Sequence, residues 1–278
     1  MSTATNYVKS AWNALVNPTV RLSTAFPFSP GRSLKVYAMS LVFFTIGSAL
    51  PVGLFLLVLR FLPPDNSTIG KMLMAPGAEG LILTVISLAT FVCGFGMQLS
   101  WVRRAFHKEG LRLRDVISLN LKSLQGSWAK AIGLGILTFV VGLIAEQLIG
   151  LVYTVPSSDP TAEFMKTIGG SALYLMAALA MIGPVMEEII FRGFLFNMLN
   201  SSVSKKLGKG TLTTMVAIIG SAFIFGALHM NLPALPFYMV LGAVYAEAYR
   251  RSGSLVVPIV AHVLNNSMIV IALVLSHA

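Results

Sequence analysis

Residues 171–199 read SALYLMAALAMIGPVMEEIIFRGFLFNML, an apolar run that carries two glutamates and an arginine in its second half. The run is longer than the roughly 20 residues that a helix needs to cross the apolar core of a bilayer. It therefore predicts a membrane-spanning helix that continues beyond the inner membrane surface. Each ionisable group at mid-membrane costs roughly 2.5–3.5 kcal/mol on insertion scales, so three of them in one segment indicate a functional site.

The rest of the chain has the composition of an integral membrane protein. Of its 278 residues, 56% are hydrophobic and only 11% are charged, and the mean hydropathy is +0.81. A soluble domain carries about 25% charged residues, so this chain has too little polar surface to face water on all sides. The fold predicted is all-α, a polytopic transmembrane helical bundle with a polar site inside the membrane. The predicted spans are 37–62, 81–101, 131–153, 171–199, 212–229, 236–249 and 255–276.

The formal charge of +10 follows the membrane topology. Most of the 20 lysines and arginines fall in 1–36, in 102–130, in 200–211 and in the turn before the last span, whereas 63–80 and 154–170 hold one lysine each. Because basic residues stay on the cytoplasmic side, we expect a multi-pass cell membrane protein whose N-terminus is cytoplasmic. The same alternation argues against a nucleic-acid partner and leaves the lipid bilayer as the surrounding medium.

Two units are expected along the chain: a cytoplasmic tail, 1–36, and a single membrane-embedded domain, 37–278. Apolar residues at helical spacing in 6–17 predict an interfacial helix in the tail, and a second surface helix is expected within 102–130. The functional core is expected at about 170–276.

The sixth predicted span, 236–249, is too short for a full crossing because 14 residues of helix measure about 21 Å. Asn231, Pro233 and Pro236 break the helix just before it, and His229 stands at that break. We therefore expect the chain to turn around inside the membrane, where irregular backbone is tolerated only next to protein or to a watery cavity.

Of the three charged residues in the long span, two are expected to pair with each other and one is left over. Glu188 and Arg192 are four residues apart with the acid first, which is the favourable order for an ion pair on one helical face. Glu187 lies about 100° around the helix, so it cannot easily share that arginine. One reading is purely structural: the ion pair fastens two helices while Glu187 hydrogen-bonds to a neighbour. The other reading leaves Glu187 as a spare carboxylate for chemistry.

Two histidines and an asparagine are expected at depths similar to that of Glu187. His229 follows Phe225 by four residues, and His262 precedes Asn266 by four, so each pair shares a helical face. A single buried histidine is more often a satisfied core residue than a catalyst. Two histidines, an asparagine and an unpaired glutamate in one bilayer instead indicate a site.

Glu187-Glu188-x-x-x-Arg192, Phe225-x-x-x-His229 and His262-x-x-x-Asn266, in this order, resemble the three motifs of the CAAX protease and bacteriocin-processing family. The resemblance implies a helical bundle, usually of eight spans, so seven to eight are expected here. It also implies peptide-bond hydrolysis at a glutamate-activated water. Glu187 and His229 would activate the water, and His262 and Asn266 would hold the oxyanion. The implied substrate is a membrane-anchored protein or peptide, cleaved near its C-terminus.

Other functions stay open at this point. The same residues could form a non-catalytic peptide-binding or self-immunity protein, or a proton-coupled transporter, although no inverted repeat favours transport. No cofactor is expected. Two histidines and a glutamate could in principle hold zinc, but no His-Glu-x-x-His helix is present and asparagine is a poor zinc ligand. We therefore predict metal-independent hydrolysis.

Overall fold

The computed structural model describes residues 26–61, 78–113, 117–119, 121–154, 171–208 and 210–277, and every regular element in these ranges is helical. The all-α prediction is therefore confirmed. A 3-10 turn covers Lys122–Leu124, and a π-helix, Ile189–Phe196, joins α4 to α5. The α-helices in chain order are α1 (Pro30–Phe61), α2 (Ala78–His107), α3 (Trp128–Gly150), α4 (Ser171–Glu188), α5 (Asn197–Leu207), α6 (Thr211–Leu228), α7 (Leu235–Ser252) and α8 (Val256–His277).

The long fourth segment is one continuous helical rod from Ser171 to Leu207, made of α4, the π-helix and α5. The helices of the described ranges therefore form seven rods, one for each predicted apolar segment. The predicted extension of 171–199 is present, since the rod runs on to Leu207.

In the part of the chain that the structure describes, four helices are long and apolar enough to cross a membrane: those at Pro30–Phe61, Gly80–His107, Trp128–Gly150 and Thr211–Leu228. Their outer faces expose large apolar side chains; Leu54 on α1 and Leu148 on α3, for example, are 63% and 60% exposed. Monomeric soluble proteins rarely expose contiguous apolar faces of this kind, whereas lipid covers them at no cost. The molecule is a membrane helical bundle.

Close helix crossings position the rods. α1 packs against α2, α6 packs against α7, and α8 lies between α3 and α4. A methyl group added to Gly47 of α1 would lie 2.5 Å from the Cys93 carbonyl oxygen of α2, and one added to Gly135 of α3 would lie 2.5 Å from Val260 of α8. Small residues thus allow the backbones to approach closely, as is usual between membrane helices.

The N-terminal boundary lies earlier than the expected position 37. α1 begins at Pro30, and the preceding residues Phe26 and Phe28 are buried against Phe106 of α2 and Phe194 of the π-helix. Residues 26–36 are therefore part of the packed bundle, because burial of these aromatic rings outweighs the polarity of the rest of the segment. The expected interfacial helix at 6–17 lies outside the described residues.

The sixth segment is longer than the 14 residues expected, because α7 runs for 18 residues, or about 27 Å. Pro236 falls in its first turn, where a missing N–H costs nothing, and Gly253 closes the helix in a left-handed conformation. Arg250 and Arg251 both pair with Glu247 and so belong to the last turn of α7. The predicted break before α7 is present, since α6 ends at Leu228 and turns follow.

The second surface helix expected within 102–130 is not found in the described part of that segment. α2 continues to His107, and beyond it only the 3-10 turn at Lys122–Leu124 is regular before α3. Gly110, Ser118, Gln125 and Gly126 all have positive φ angles, which a right-handed helix cannot contain. Apolar spacing alone therefore misled the prediction here.

Candidate active site

Both glutamates lie at the point where the backbone of the long rod changes its hydrogen-bonding pattern. Glu187 and Glu188 are the last residues of α4, and the π-helix begins at Ile189. All eight residues of the π-helix are buried, and the Asn197 side chain closes it by donating to the Gly193 carbonyl and to the Tyr249 hydroxyl, both at 2.9 Å. π-helical turns are rare and occur frequently at functional sites. Nothing in the sequence analysis predicted this turn.

The predicted ion pair is present and fully enclosed. Arg192 Nη1 lies 2.8 Å from Glu188 Oε1, and both side chains are almost completely buried. Arg192 Nη2 also donates to the Gly242 carbonyl of α7 at 3.0 Å, so the pair connects the π-helix to a neighbouring helix. Charges removed from water in this way need such partners, because an unpaired buried charge costs several kcal/mol.

Aromatic rings surround the arginine. The Arg192 guanidinium carbon lies 4.5 Å from the centroid of the Phe225 ring and 5.4 Å from that of Tyr245. Phe225 also makes edge-to-face contacts with the rings of His229 and His262, at centroid distances of 4.6 and 5.9 Å. The phenylalanine of the second motif therefore contacts the charged residue of the first motif and both predicted histidines.

Glu187 lies on the other side of the long rod, in the wall of a cavity of about 240 Å³. His229 lines the same cavity, so the structure brings together the two residues predicted to activate water. Gln98 of α2 is a further polar residue of this wall. The remaining lining is apolar and comes largely from α1 and α2: Leu41, Phe44, Phe91, Phe95, Ile190, Phe191 and Leu228.

The part of the site formed by α1 and α2 was missed by the sequence analysis, which found only generic hydropathy in the first 130 residues. Gln98 is 2% exposed and donates to Ser40 Oγ at 3.3 Å. A glutamine inside the apolar segment 81–101 was the one local signal that could have indicated a site there, since polar side chains are rare at that depth.

His229 caps the end of α6 with a defined tautomer. Its Nδ1 lies 2.8 Å from the Phe225 carbonyl oxygen, and because a carbonyl can only accept, Nδ1 carries the hydrogen. Nε2 of the neutral ring is therefore unprotonated and can accept a hydrogen bond. The ring stacks on Tyr238 of α7 at a centroid distance of 4.2 Å, and Met230 begins the break with a φ of 55°.

His262 of α8 lies between the two glutamates, and its contacts there limit the role at an oxyanion that was expected for it. Its Nδ1 is 2.9 Å from Glu188 Oε1, and its Nε2 is 3.9 Å from Glu187 Oε2. The first contact is a hydrogen bond in which Nδ1 donates to the ionised carboxylate, and the second is too long for one. We expected a neutral His262 to donate to an oxyanion, but its N–H is already used by Glu188. Only a doubly protonated ring could donate through Nε2.

Asn266 follows His262 by one turn of α8 and is half-buried. The two residues therefore share a helical face as predicted, but the role of Asn266 at an oxyanion stays a prediction. Within the described residues, four enclosed polar atoms near this site have no hydrogen-bond partner: Glu187 Oε2, Glu188 Oε2, Arg192 Nε and Tyr245 Oη. Buried polar atoms without partners cost about 1–3 kcal/mol each, and their concentration here is typical of a functional site.

A metal site was the alternative chemistry for these residues. Among the described residues, no three His, Cys, Asp or Glu side chains converge in a way that could hold a metal ion. Nδ1 of His262 is hydrogen-bonded to Glu188 and therefore cannot also bind a metal ion. Metal independence stays a prediction.

Comparison with known proteins supports the motif assignment. The family model described as Type II CAAX prenyl endopeptidase Rce1-like matches residues 169–268. The membrane-embedded CAAX protease MroQ of Staphylococcus aureus (strain USA300) is 26% identical over 140 residues, which cover 49% of this chain and 56% of MroQ.

YdiL of Bacillus subtilis (strain 168), whose name describes a candidate membrane peptidase, is 29% identical over 159 residues, which cover 54% of this chain and 61% of YdiL. Each alignment thus spans less than two thirds of the relative. No solved structure gives a significant match. Over residues 169–268 the chain is therefore similar to the CAAX protease and bacteriocin-processing family, the family that its three motifs resemble.

Proposed function

We propose that this protein is an intramembrane endopeptidase that hydrolyses a peptide bond near the C-terminus of a membrane-associated or lipidated protein or peptide. One observation carries the proposal. Of two adjacent carboxylates, Glu188 is enclosed in an ion pair. Glu187 instead lies in the wall of a cavity together with the ring of His229, whose Nε2 can accept a hydrogen bond. The family match and the names of both relatives support proteolysis in a membrane.

In the proposed reaction, the Glu187 carboxylate takes a proton from a water molecule whose oxygen attacks the carbonyl carbon of the scissile bond. His229 Nε2 accepts a hydrogen bond from the same water and so orients it. When the tetrahedral intermediate collapses, the carbon–nitrogen bond breaks, and the proton taken by Glu187 passes to the leaving nitrogen, directly or through His229. The products are a carboxylic acid and an amine, and the reaction as written needs no cofactor.

Asn266 supplies the neutral N–H donor for the oxyanion in this scheme. His262 contributes a second donor through Nε2 when its ring carries both protons, since Nδ1–H is directed to Glu188. The Glu188–Arg192 pair acts indirectly: it fixes the orientation of His262 and joins α7 to the π-helix. Donors held in place before the reaction stabilise developing charge without reorganisation, which is the main source of rate enhancement at such sites.

The test is cleavage of a membrane-embedded reporter with a tagged C-terminal peptide by the purified protein in vesicles. Glu187→Gln keeps the side-chain shape and removes the base, so this variant should insert normally and release no detectable peptide. Glu146→Gln is the matched control, because Glu146 is another glutamate of an apolar helix, lies on α3 and does not line the cavity. It should cleave at the wild-type rate.

The same vesicles distinguish the other candidate functions. Binding of the tagged peptide without cleavage would indicate a binding or immunity protein, and uptake driven by a pH gradient would indicate a transporter. Glu187→Gln combined with His229→Ala should lower the rate little more than either change alone, because groups that act together are not additive. Wild-type rates from Glu187→Gln would refute the proposed mechanism.

A further inference from the structure

Gln98 is a buried polar residue in the cavity wall that no motif of the chain includes. It lies on α2 and lines the same cavity as Glu187 of the long rod, together with Phe44, Phe91 and Phe95. A hydrogen-bonding side chain placed among apolar rings at this depth is expensive unless a partner satisfies it. Its hydrogen-bond partners within the protein therefore decide which of its atoms remain available to a ligand.

A chain of hydrogen bonds fixes the orientation of the Gln98 amide. Ser40 Oγ lies 2.7 Å from the Tyr37 carbonyl oxygen, which can only accept, so the single hydroxyl hydrogen of Ser40 is directed there. Towards Gln98, Ser40 can then only accept, so the amide nitrogen must be the atom that contacts it, at 3.3 Å. The amide oxygen, Oε1, consequently points away from Ser40.

Among the described residues, Oε1 of Gln98 has no hydrogen-bond partner, but it is not fully enclosed by protein atoms. No donor in these ranges contacts it, and it does not belong to the fully enclosed polar atoms that lack partners. Since the residue lines the cavity, its oxygen and its second amide hydrogen are available to a molecule inside the cavity. Together they form an acceptor and a donor side by side, which is complementary to the N–H and C=O of one residue in an extended peptide.

We propose that Gln98 binds the main chain of the substrate, with Oε1 accepting a substrate N–H and the amide nitrogen donating to a substrate carbonyl. This inference rests on the proposed function and extends it from the catalytic residues to the wall formed by the N-terminal helices. Gln98 holds the peptide against Glu187 and His229, and it is a binding residue that takes no part in proton transfer.

The cavity wall favours a neutral peptide group over a free carboxylate as the bound group. Within the described lining there is no lysine or arginine, and the acidic residue of the lining is Glu187. A substrate carboxylate at Gln98 would therefore meet repulsion and gain no compensating cation. The bound segment is thus internal to the substrate chain, in agreement with cleavage by an endopeptidase.

The experiment uses a fluorescent peptide of alternating alanine and leucine, together with a set in which each backbone N–H is replaced in turn by an ester oxygen. Binding is measured to the full-length protein carrying Glu187→Gln, with and without Gln98→Met, so that cleavage is not needed for the readout. One ester should weaken binding about three- to tenfold when Gln98 is present and not at all in Gln98→Met, because a single neutral hydrogen bond is lost.

A structural role for Gln98 predicts a different result. In that case Gln98→Met weakens binding of the parent peptide and of every ester by the same factor, and the proposal is wrong. Ser40→Ala, which frees the amide to rotate, should lower the affinity less than Gln98→Met and keep the same ester sensitive. If the parent peptide binds to neither protein, the main-chain site is also refuted. Binding that depends on Gln98 in a wild-type protein that cleaves nothing would instead refute only the endopeptidase function.

Discussion

The two sides of the long helical rod place two adjacent glutamates in different surroundings. On the sealed side, Glu188, Arg192, His262 and Tyr245 form a buried group in which the carboxylate is held by an arginine and a histidine. On the cavity side, the Glu187 side chain is 18% exposed, and among the described residues its Oε2 has no hydrogen-bond partner. Adjacent, chemically identical residues thus lie in opposite environments, and the difference comes from what each side packs against.

The sealed side compensates its own charge, so the bundle holds two adjacent glutamates without leaving the Glu188 carboxylate unpaired. The ion pair on the sealed side connects the π-helix with α7 through Gly242 and with α8 through His262. It therefore holds three helical segments in place around the cavity. Apart from Glu187, Gln98 and His229, the described lining of the cavity is apolar, so a molecule inside it would meet few hydrogen-bonding groups.

The largest difference between the two sides should appear in stability. Glu188→Gln leaves Arg192 as an uncompensated buried charge, so we expect a loss of roughly 3–5 kcal/mol in the free energy of unfolding. Arg192→Ala should cost a similar amount, since it leaves Glu188 unpaired. Unfolding of the purified protein by denaturant in mixed micelles measures both losses.

Two controls accompany this measurement. Glu187→Gln breaks no ion pair with Arg192 and should change stability by less than about 1 kcal/mol. Glu188→Gln combined with Arg192→Met removes both charges and should regain part of the loss, because a buried pair can be replaced by apolar groups. A Glu188→Gln protein as stable as Glu187→Gln would show that the two sides do not differ in this way.

The next largest effect is expected at Asn266, as a loss of turnover. If Asn266 donates to the oxyanion, Asn266→Ala should lower kcat about 10²–10³-fold and leave KM nearly unchanged. Steady-state cleavage of the reporter gives both constants. A raised KM at constant kcat would instead assign Asn266 to substrate binding and would leave the proposed reaction without its neutral oxyanion donor.

The smallest effect is expected at Tyr245, on the sealed side. The Tyr245 ring stacks on His262 at a centroid distance of 5.0 Å, but within the described residues its hydroxyl has no partner. Tyr245→Phe should therefore not lower stability and should change activity by less than about 0.5 kcal/mol, whereas Tyr245→Leu should lose roughly 0.5–1.5 kcal/mol of ring stacking. Denaturant unfolding and reporter cleavage distinguish the two. A large loss in Tyr245→Phe would show that the hydroxyl is needed.

Some features of the site escaped prediction for identifiable reasons. Spacing on an ideal α-helix placed Glu187 and Glu188 on different faces correctly, but it could not predict the π-helix that begins one residue later. The role of His262 at an oxyanion stays a prediction, but it was made without the contact to Glu188 that occupies the Nδ1 hydrogen. A residue 74 positions away in the chain leaves no local pattern that would indicate such a contact.

The amino-acid sequence by itself determined the features that depend on neighbouring residues. Apolar length defined a membrane helical bundle, four-residue spacing defined the Glu188–Arg192 pair, and the prolines after His229 defined the break before α7. Only the tertiary structure decided which carboxylate faces a cavity, that α1 and α2 build its wall, and that Gln98 lies in it. These features require segments about 90 residues or more apart to pack together, and hydropathy, which is nearly uniform in a membrane protein, carries no information about which helices become neighbours.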